Sequence, residues 1–228
     1  MNDWLSFLVS KAASDELVQE SSGHESVRAF MMREIEYGAM SRGVGLADRS
    51  ERGLIALRGA DRLTWCHNLL TNQINTLQPG DGTYTFAVNL QGRIVFDCVL
   101  MVRPEEIWLD VDRSFVESAI AHLNQFIIVE DVELVDRRDD FVRLGLAGPK
   151  MGEGKMPWYG NAFVRWDGVE IPFLRHDFCG PVGVELFVPS EAAQRVWTTL
   201  TTKDVGAKVV ATGHDAVETH RIESGILR

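Results

Sequence analysis

Apolar and polar positions are most regular between residues 84 and 102, where two apolar runs flank the polar segment 89–92, Asn-Leu-Gln-Gly. Such a segment between β-branched and aromatic runs is typical of a hairpin, so two antiparallel strands are predicted. Because side chains alternate along a strand, Asp97 and Val99 lie on one face that is otherwise apolar. A carboxylate there needs a partner, which is either structural, such as backbone amides or an arginine, or a ligand.

The pattern before and after this hairpin predicts an α+β layer. Residues 3–20 and 25–42 have apolar positions near helical spacing, and Gly43 and Gly45 are expected to end the second helix as C-cap glycines. The order that follows is strand, helix, strand, strand, helix, strand with one short addition, which is typical of a ferredoxin-like layer. Its predicted elements are a strand at 54–58, a helix with Asp61 as N-cap, the hairpin, a strand at 107–111, a helix at 113–126 and a strand at 132–135.

The second half of the chain begins like the first, since the apolar run and glycine at 142–149 resemble those at 54–60. An internal repeat is therefore predicted, giving two ferredoxin-like antiparallel sheet layers with helices. The expected domains are an N-terminal helical segment at 1–52 and two subdomains at 53–140 and 141–228. The further predicted elements are strands at 162–166, 169–174, 184–188 and 209–211, a helix at 190–200 capped by Ser190 with Glu191 in its first turn, and a helix at 215–227.

Composition excludes several classes of protein. The 228 residues are 45% hydrophobic and carry a formal net charge of -10, which argues against a nucleic-acid footprint. No run approaches the ~18 apolar residues of a membrane span, and the start has no basic segment or cleavage site of a signal peptide, so a cytoplasmic protein is expected. Cys66, Cys98 and Cys179 are far apart and the histidines form no HxxxH pattern, so neither disulfides nor a metal site is predicted.

Several motifs together resemble the folate-binding superfamily of the glycine-cleavage T-protein, an aminomethyltransferase, and the YgfZ-type proteins of iron-sulfur cluster maturation. The motifs are GLADRS at 45–50, the block LRGADRLTWCHNLLTNQINTLQPGDGTYTFAVNLQGRIVFD at 57–97, GLAGP at 145–149, GPVGVEL at 180–186 and HRIESG at 220–225. The resemblance spans about residues 28 to 228. Those families continue into another β-rich domain, which is expected to be absent from this chain.

The resemblance implies roles for four residues. Asp97 matches a catalytic or pterin-adjacent aspartate, Tyr84 an aromatic residue beside the folate, and Glu185 the glutamate that holds the pterin edge, with Val99 as a further contact. These roles agree with chemistry, because a pterin presents adjacent N–H and amino groups to a carboxylate, and an aromatic ring packs on its flat face. Tetrahydrofolate, or a one-carbon derivative, is therefore expected in a central cleft walled by Tyr84, Asp97 and Glu185.

Structural alternatives remain open for these residues. Tyr84 is also explained by ordinary strand packing. Glu185 stands in an alternating strand whose other face would take Val184 and Leu186, so it is also compatible with simple exposure to solvent. Arg221 and Glu223 in the last motif are expected to form a local pair on a helix.

Departures from the T-protein pattern favour the YgfZ-type branch. Where this chain has Glu51, Phe96 and Val217, the T-protein pattern has a histidine, a second aspartate and a folate-contacting arginine, respectively. The expected function is therefore a folate-dependent, YgfZ-type accessory to iron-sulfur cluster assembly or repair, with an iron-sulfur client protein. The enzyme alternative is an aminomethyltransferase that receives a one-carbon unit from a lipoyl carrier protein, and a third is a truncated module that binds no folate. The Lys-Gly-Cys motif of the YgfZ-type branch would lie beyond Arg228, so no thiol chemistry is assigned.

Overall fold

The chain folds into two compact units of mixed α and β structure. The structure is a computed structural model and describes residues 3–152, 156–166, 168–203 and 206–226. Unit 1 comprises Met1–Glu51, Asp140–Met156 and Phe163–Arg228, and unit 2 comprises Arg52–Asp139 and Pro157–Ala162. Unit 2 is thus inserted, in sequence, within unit 1. The predicted α+β class with antiparallel sheets is confirmed.

The described chain contains both single helices between strands and runs of consecutive strands. The first elements are α1 (Asp3–Val9), β1 (Leu17–Gln19), β2 (Glu25–Val27), α2 (Arg33–Arg42), β3 (Val44–Asp48), β4 (Arg52–Arg58), α3 (Arg62–Leu69), β5 (Gly82–Val88), β6 (Ile94–Val102) and β7 (Ile107–Asp112). The later elements are α4 (Val116–Asn124), β8 (Glu133–Asp136), β9 (Phe141–Ala147), β10 (Asn161–Trp166), β11 (Val169–Arg175), β12 (Gly183–Pro189), α5 (Ala193–Thr202), β13 (Val209–Ala211) and α6 (His214–Glu223). Short 3-10 turns precede α4 and α5.

Unit 1 is built on a six-stranded sheet in the order β10-β11-β12-β9-β3-β13. The registered pairs are antiparallel except for β13, which runs parallel to β3. Its core includes Trp197 of α5, whose ring meets that of Trp4 edge-on at 5.8 Å and that of Phe30 at 5.3 Å. Burial of these large aromatic surfaces stabilises this layer together with the aliphatic residues of the same core.

Unit 2 is built on a five-stranded, fully antiparallel sheet in the order β5-β6-β7-β4-β8. Residues of α3 and α4 share a core with this sheet, and the indole N–H of Trp65 donates to the carbonyl oxygen of Phe126 at 3.0 Å. The β5–β6 hairpin forms as predicted, with Gly92 at a φ of 73° in its turn, where a side chain would be strained. The apolar alternation and the turn residues therefore predicted the hairpin of this sheet correctly.

The N-terminal helices were predicted too long. Residues 17–19 and 25–27 pair as β1 and β2 of a separate two-stranded sheet, and residues 44–48 form β3. Strands of three residues are too short to show alternation, so their apolar positions imitated helical spacing. Gly45 lies within β3 rather than at a helix end. A glycine is needed there because a Cβ would lie 2.5 Å from Cγ of Met40.

Two predicted helix caps lack their side-chain hydrogen bond. Asp61 does precede α3, but its carboxylate accepts from the backbone N–H of Asp131, while the Asp131 carboxylate accepts from that of Ala60. Ser190 begins a 3-10 turn, and α5 starts later without a side-chain cap. The last helix ends at Glu223 instead of Leu227, which lies outside the described residues.

The three cysteines are buried and free. Burial raises the pKa of Cys66 and of Cys179 to about 12, and it raises the pKa of Cys98 well above its ordinary value. Because the thiolate is the reactive form, we expect these thiols to react with an aromatic disulfide reagent only after the protein is unfolded in guanidinium. Absorbance of the released thiolate measures this, and rapid reaction of one thiol in native buffer would contradict the expectation.

Neither a membrane span nor a metal cluster is found in the part of the chain that the structure describes. No helix in those ranges is long and apolar enough to cross a bilayer. The same residues contain no group of three or more His, Cys, Asp or Glu side chains that could hold a metal ion.

Candidate functional site

Tyr84 and Asp97 form a hydrogen-bonded pair on the hairpin of unit 2. In the antiparallel register of β5 and β6, Tyr84 stands opposite Val99 and Phe86 stands opposite Asp97. Tyr84 and Asp97 are therefore diagonal neighbours, which lie within reach of a long aromatic side chain. The Tyr84 hydroxyl donates to Oδ2 of Asp97 at 2.8 Å. The partner that the sequence required for Asp97 is thus a tyrosine hydroxyl.

The electrostatics of this pair leave Asp97 able to accept a further donor. Burial and the hydrogen bond to Asp97 raise the pKa of Tyr84, so its hydroxyl remains a donor at neutral pH. Asp97 is half-buried, and within the described ranges no basic side chain forms an ion pair with it and no donor reaches its Oδ1. Val99, on the same strand, is buried. The accessible chemistry of this face therefore comes from Tyr84 and Asp97.

A second tyrosine stands beside this pair, and sequence reasoning missed it. The ring of Tyr159 lies nearly parallel to that of Tyr84, with centroids 6.4 Å apart and planes inclined at 24°. Tyr159 has a φ of 61°, and its carbonyl oxygen packs so closely that a Cβ on Gly82 would lie 2.2 Å away. Non-glycine residues in this strained region cluster at functional sites. A positive φ leaves no mark in the sequence, so only the structure reveals this aromatic wall.

Glu185 lies in unit 1 and is completely buried, with 0% of its side chain exposed. Its strand, β12, is paired on both sides by β9 and β11, and both of its faces are covered. The alternative that it faces solvent is therefore wrong. Its Oε2 accepts from Nη2 of Arg143 at 2.6 Å, and its Oε1 lies 2.5 Å from Nδ1 of His176.

A second guanidinium also approaches this carboxylate. Nε of Arg49 lies 3.8 Å from Oε2 of Glu185, while its Nη1 pairs with Oε1 of Glu51 at 2.7 Å. The Arg49 guanidinium also stacks over the ring of Phe178 at 4.7 Å. Gly145 makes room for this stack, because a Cβ there would lie 2.6 Å from the Phe178 ring and 2.9 Å from Arg49. Glu51, which departs from the T-protein motif, thus belongs to an ion-pair network around Glu185.

The network shifts the pKa values of its two carboxylates in opposite directions. Burial alone would raise the pKa of Glu185, but the guanidinium groups of Arg143 and Arg49 and the hydrogen bond with His176 hold it well below its ordinary range. Burial raises the pKa of Glu51, although Arg49 partly opposes this effect. Glu185 is therefore a charged acceptor at neutral pH.

The charged residues of α6 and the side chains at two positions that depart from the T-protein pattern have defined surroundings. Arg221 pairs with Glu218, one turn earlier on α6, whereas Glu223 accepts from the hydroxyl of Tyr37 at 2.8 Å. The predicted pair of Arg221 and Glu223 is wrong, because residues two apart do not share a helix face. Phe96 is buried in the core of unit 2, and Val217 packs against a small cluster of buried residues in unit 1.

The sequence of this chain is similar to the N-terminal part of aminomethyltransferases. The family profile of the GCVT N-terminal domain matches residues 13–228. The aminomethyltransferase of Thermosynechococcus vestitus is 28% identical over 202 residues, covering 84% of this chain and 54% of that protein, and that of Chlorobaculum parvum is 28% identical over 203 residues, covering 83% and 56%. The chain thus spans about half the length of these relatives.

A solved structure has the same fold as this chain. The glycine cleavage system aminomethyltransferase T from Bartonella henselae superposes with a TM-score of 0.82 and 19% sequence identity. The superposition covers 97% of this chain and 62% of that one. The architecture of the two units is therefore one that has been seen in a solved structure.

Proposed function

Because the chain belongs to the family of GCVT N-terminal domains, we propose that it is a folate-binding module whose ligand is tetrahydrofolate or a one-carbon derivative of it. The observation that carries the proposal is the pair of Tyr84 and Asp97 beside the strained Tyr159. The pair offers a half-buried carboxylate whose Oδ1 meets no donor among the described residues, and the two nearly parallel rings offer aromatic surface beside it. Adjacent N–H donors on a planar heterocycle match this combination.

Each residue has a defined task in this proposal. The Asp97 carboxylate accepts an N–H of the folate and is held in place by the Tyr84 hydroxyl, whose raised pKa keeps it protonated. The rings of Tyr84 and Tyr159 pack on the folate and exclude water from the hydrogen bond. Glu185 of unit 1 is charged at neutral pH, but its carboxylate is covered in this structure, so no contact with this ligand is proposed for it.

The reaction that we propose is transfer of an aminomethyl group, which is the activity named for the related proteins. Two nitrogens of tetrahydrofolate would form C–N bonds to the aminomethyl carbon carried by a lipoyl partner protein, while the bonds of that carbon to the lipoyl sulfur and to its amino group break. The two protons that the folate nitrogens lose end on the lipoyl thiol and on the ammonia that leaves. Asp97 would first accept one of these protons, acting as general base. Since the chain spans about half of these relatives, this full activity is proposed for the module together with its partners.

The binding proposal is tested by calorimetry with tetrahydrofolate on Asp97→Asn. We expect about 10- to 100-fold weaker binding, because a hydrogen bond to a charged group contributes about 1.5–3 kcal/mol. Asp136→Asn is the matched control, since Asp136 also lies on a strand of unit 2 and, among the described residues, accepts hydrogen bonds from Arg138 alone, at the surface. Its affinity should equal that of the wild type.

Two results would count against this assignment. If Asp97→Asn bound tetrahydrofolate as tightly as the wild type, Asp97 would not be the acceptor. If the folded wild-type protein bound no reduced folate, the chain would be a module that keeps the fold without the ligand.

A YgfZ-type role in iron-sulfur cluster assembly or repair is the second candidate, and one observation favours it. Where the T-protein pattern has a second aspartate, this chain has Phe96, which is buried in the core of unit 2. A buried phenylalanine supplies no acid or base for the transfer. Ammonia release from an aminomethyl-lipoyl donor would support the transferase. Folate binding without ammonia release, together with recovery of iron-sulfur enzyme activity in cells that lack their own YgfZ-type protein, would support the second candidate.

A further inference from the structure

A row of aromatic rings in unit 2 extends from the proposed folate site to an exposed tryptophan. The rings of Phe86 and Tyr84 meet edge-on at 5.1 Å, and those of Tyr84 and Tyr159 lie nearly parallel at 6.4 Å. The ring of Trp158 then meets that of Tyr159 edge-on, with centroids 6.0 Å apart. All of these residues belong to unit 2. The aromatic surface therefore continues past the two tyrosines that stand beside Asp97.

Trp158 is the most exposed residue of this aromatic row. It is 62% exposed, whereas Tyr84 is 39% exposed and Phe86 and Tyr159 are partly buried. Tryptophan is highly buried on average, and it is enriched on surfaces that meet another molecule. A single apolar side chain on a surface needs no function, but this one adjoins a candidate binding site. Its place in the row, more than its exposure, indicates contact with a ligand.

The turn that carries Trp158 is fixed to the segment that precedes β5. Asn161, three residues further along the chain, is buried. Its backbone N–H donates to the carbonyl oxygen of Gly80, and its side-chain amide donates to that of Asp81, both at 2.8 Å. A ring whose backbone is already fixed loses less conformational entropy when it meets a ligand. The turn thus presents Trp158 as a preformed surface.

The angles between the rings match a ligand with two planar parts joined by a rotatable link. The planes of Tyr84 and Tyr159 are inclined at 24°, whereas the plane of Trp158 is inclined at 82° to that of Tyr159. Tetrahydrofolate has such a shape, because a methylene group and a nitrogen join its pterin to a benzoyl ring. A pterin packed on the two tyrosines therefore leaves the benzoyl ring to pack on the perpendicular indole.

From this arrangement, and resting on the proposed function, we propose that Trp158 binds the benzoyl ring of the folate and makes the module selective for folates over simple pterins. Asp97 and the two tyrosines hold the pterin, which both classes of ligand share. Trp158 contacts a part that simple pterins lack. Loss of its ring therefore lowers the affinity for folates and leaves the affinity for simple pterins unchanged.

The test is anaerobic calorimetry on the full chain with tetrahydrofolate, with tetrahydropteroate, which lacks the glutamate, and with 6-methyltetrahydropterin, which also lacks the benzoyl ring. We expect Trp158→Ala to bind the first two ligands about tenfold more weakly than the wild type and the third equally well. Trp158→Phe keeps an aromatic face and should bind all of them within about threefold of the wild type. Phe115→Ala is the matched control, because Phe115 is also an exposed aromatic residue of unit 2. Its affinities should equal those of the wild type.

The ligands separate this inference from the folate proposal itself. Asp97→Asn should weaken binding of all three ligands, because Asp97 contacts the pterin that they share. Equal losses for all three ligands in Trp158→Ala, or no loss for any of them, would overturn the role of Trp158 alone. A wild-type protein that binds none of the ligands would overturn both proposals. If Trp158→Ala does not fold, Trp158→Leu takes its place, and failure of both to fold would overturn the inference by showing that the ring is structural.

Discussion

Replacing Arg143 with methionine is expected to lower the free energy of unfolding by about 3 to 5 kcal/mol, because it removes one partner of a buried ion pair. The Arg143 guanidinium donates to Glu185 at 2.6 Å and also stacks over the ring of Phe187 at 4.0 Å. Methionine keeps much of the apolar contact and removes the charge. The loss therefore reports mainly on the buried carboxylate of Glu185, which keeps His176 and the more distant Arg49 but loses its closest guanidinium. Guanidinium denaturation followed by circular dichroism measures it.

The pH dependence of this loss identifies its cause. The pKa of Glu185 in the folded protein is held below its usual value of 4.5. The ion pairs of Glu185 therefore stabilise the wild type fully above pH 4.5, and this contribution is lost as the pH falls through the folded pKa. In Arg143→Met, burial still raises the pKa of Glu185, but one of the two guanidinium groups that lower it is gone, so Glu185 takes up a proton at a higher pH than in the wild type. The difference from the wild type should therefore be smaller at pH 5 than at pH 8.

A surface ion pair provides the control for Arg143→Met. Arg165 and Glu170, also in unit 1, are 3.7 Å apart with 78% and 50% of their side chains exposed, so Arg165→Met should cost no more than about 1 kcal/mol. Equal losses in the two variants, or a loss at Arg143 that is the same at both pH values, would show that the buried charge is not the cause.

Glu36→Ala is expected to lower the free energy of unfolding by about 3 kcal/mol or more, because three backbone N–H groups would lose their acceptor. Oε1 of Glu36 accepts from Phe30 at 2.6 Å and from Met31 at 2.7 Å, and Oε2 accepts from Gly213 at 2.9 Å. The carboxylate thereby joins α2 to the segment after β2 and to the start of α6. Burial raises its pKa even though these amides lower it. Thermal and guanidinium unfolding measure the effect.

The same helix provides a control for Glu36. Glu34 lies in the first turn of α2 and is exposed, so Glu34→Ala should cost at most about 1 kcal/mol. Glu36→Gln should fall between the two, since its amide has one acceptor oxygen for the backbone groups that the carboxylate serves. A Glu36→Ala variant as stable as Glu34→Ala would show that the three amides find other partners.

The elements of unit 2 were predictable because turn residues and apolar alternation occur in the same short stretch. The hairpin of β5 and β6 has both signals, and its register alone brings Tyr84 to Asp97. The short strands β1 and β2 have neither signal. Gly45 was misassigned because a glycine after a helix and a glycine that permits close packing look alike in one sequence.

The partners of Glu185 were not predictable for a different reason. Arg49, Arg143 and Glu185 come from three distant parts of the chain, and only the pairing of β9 with both β3 and β12 brings those parts together. Alternation on β12 left exposure of Glu185 to solvent open as an alternative, since a single strand does not reveal that its sheet is covered on both sides. Tyr159 depends on a backbone conformation that residue identity does not specify.

The insertion of unit 2 has a consequence during synthesis on the ribosome. Strand β3 pairs with β9 and β13, but the whole of unit 2 is translated between β3 and β9. At about 5–20 residues per second, β3 waits on the order of 10 s for its first partner, while unit 2 already has all but a few of its residues. The nascent N-terminal segment therefore exposes an unpaired apolar strand during this interval, which is the kind of surface that chaperones bind.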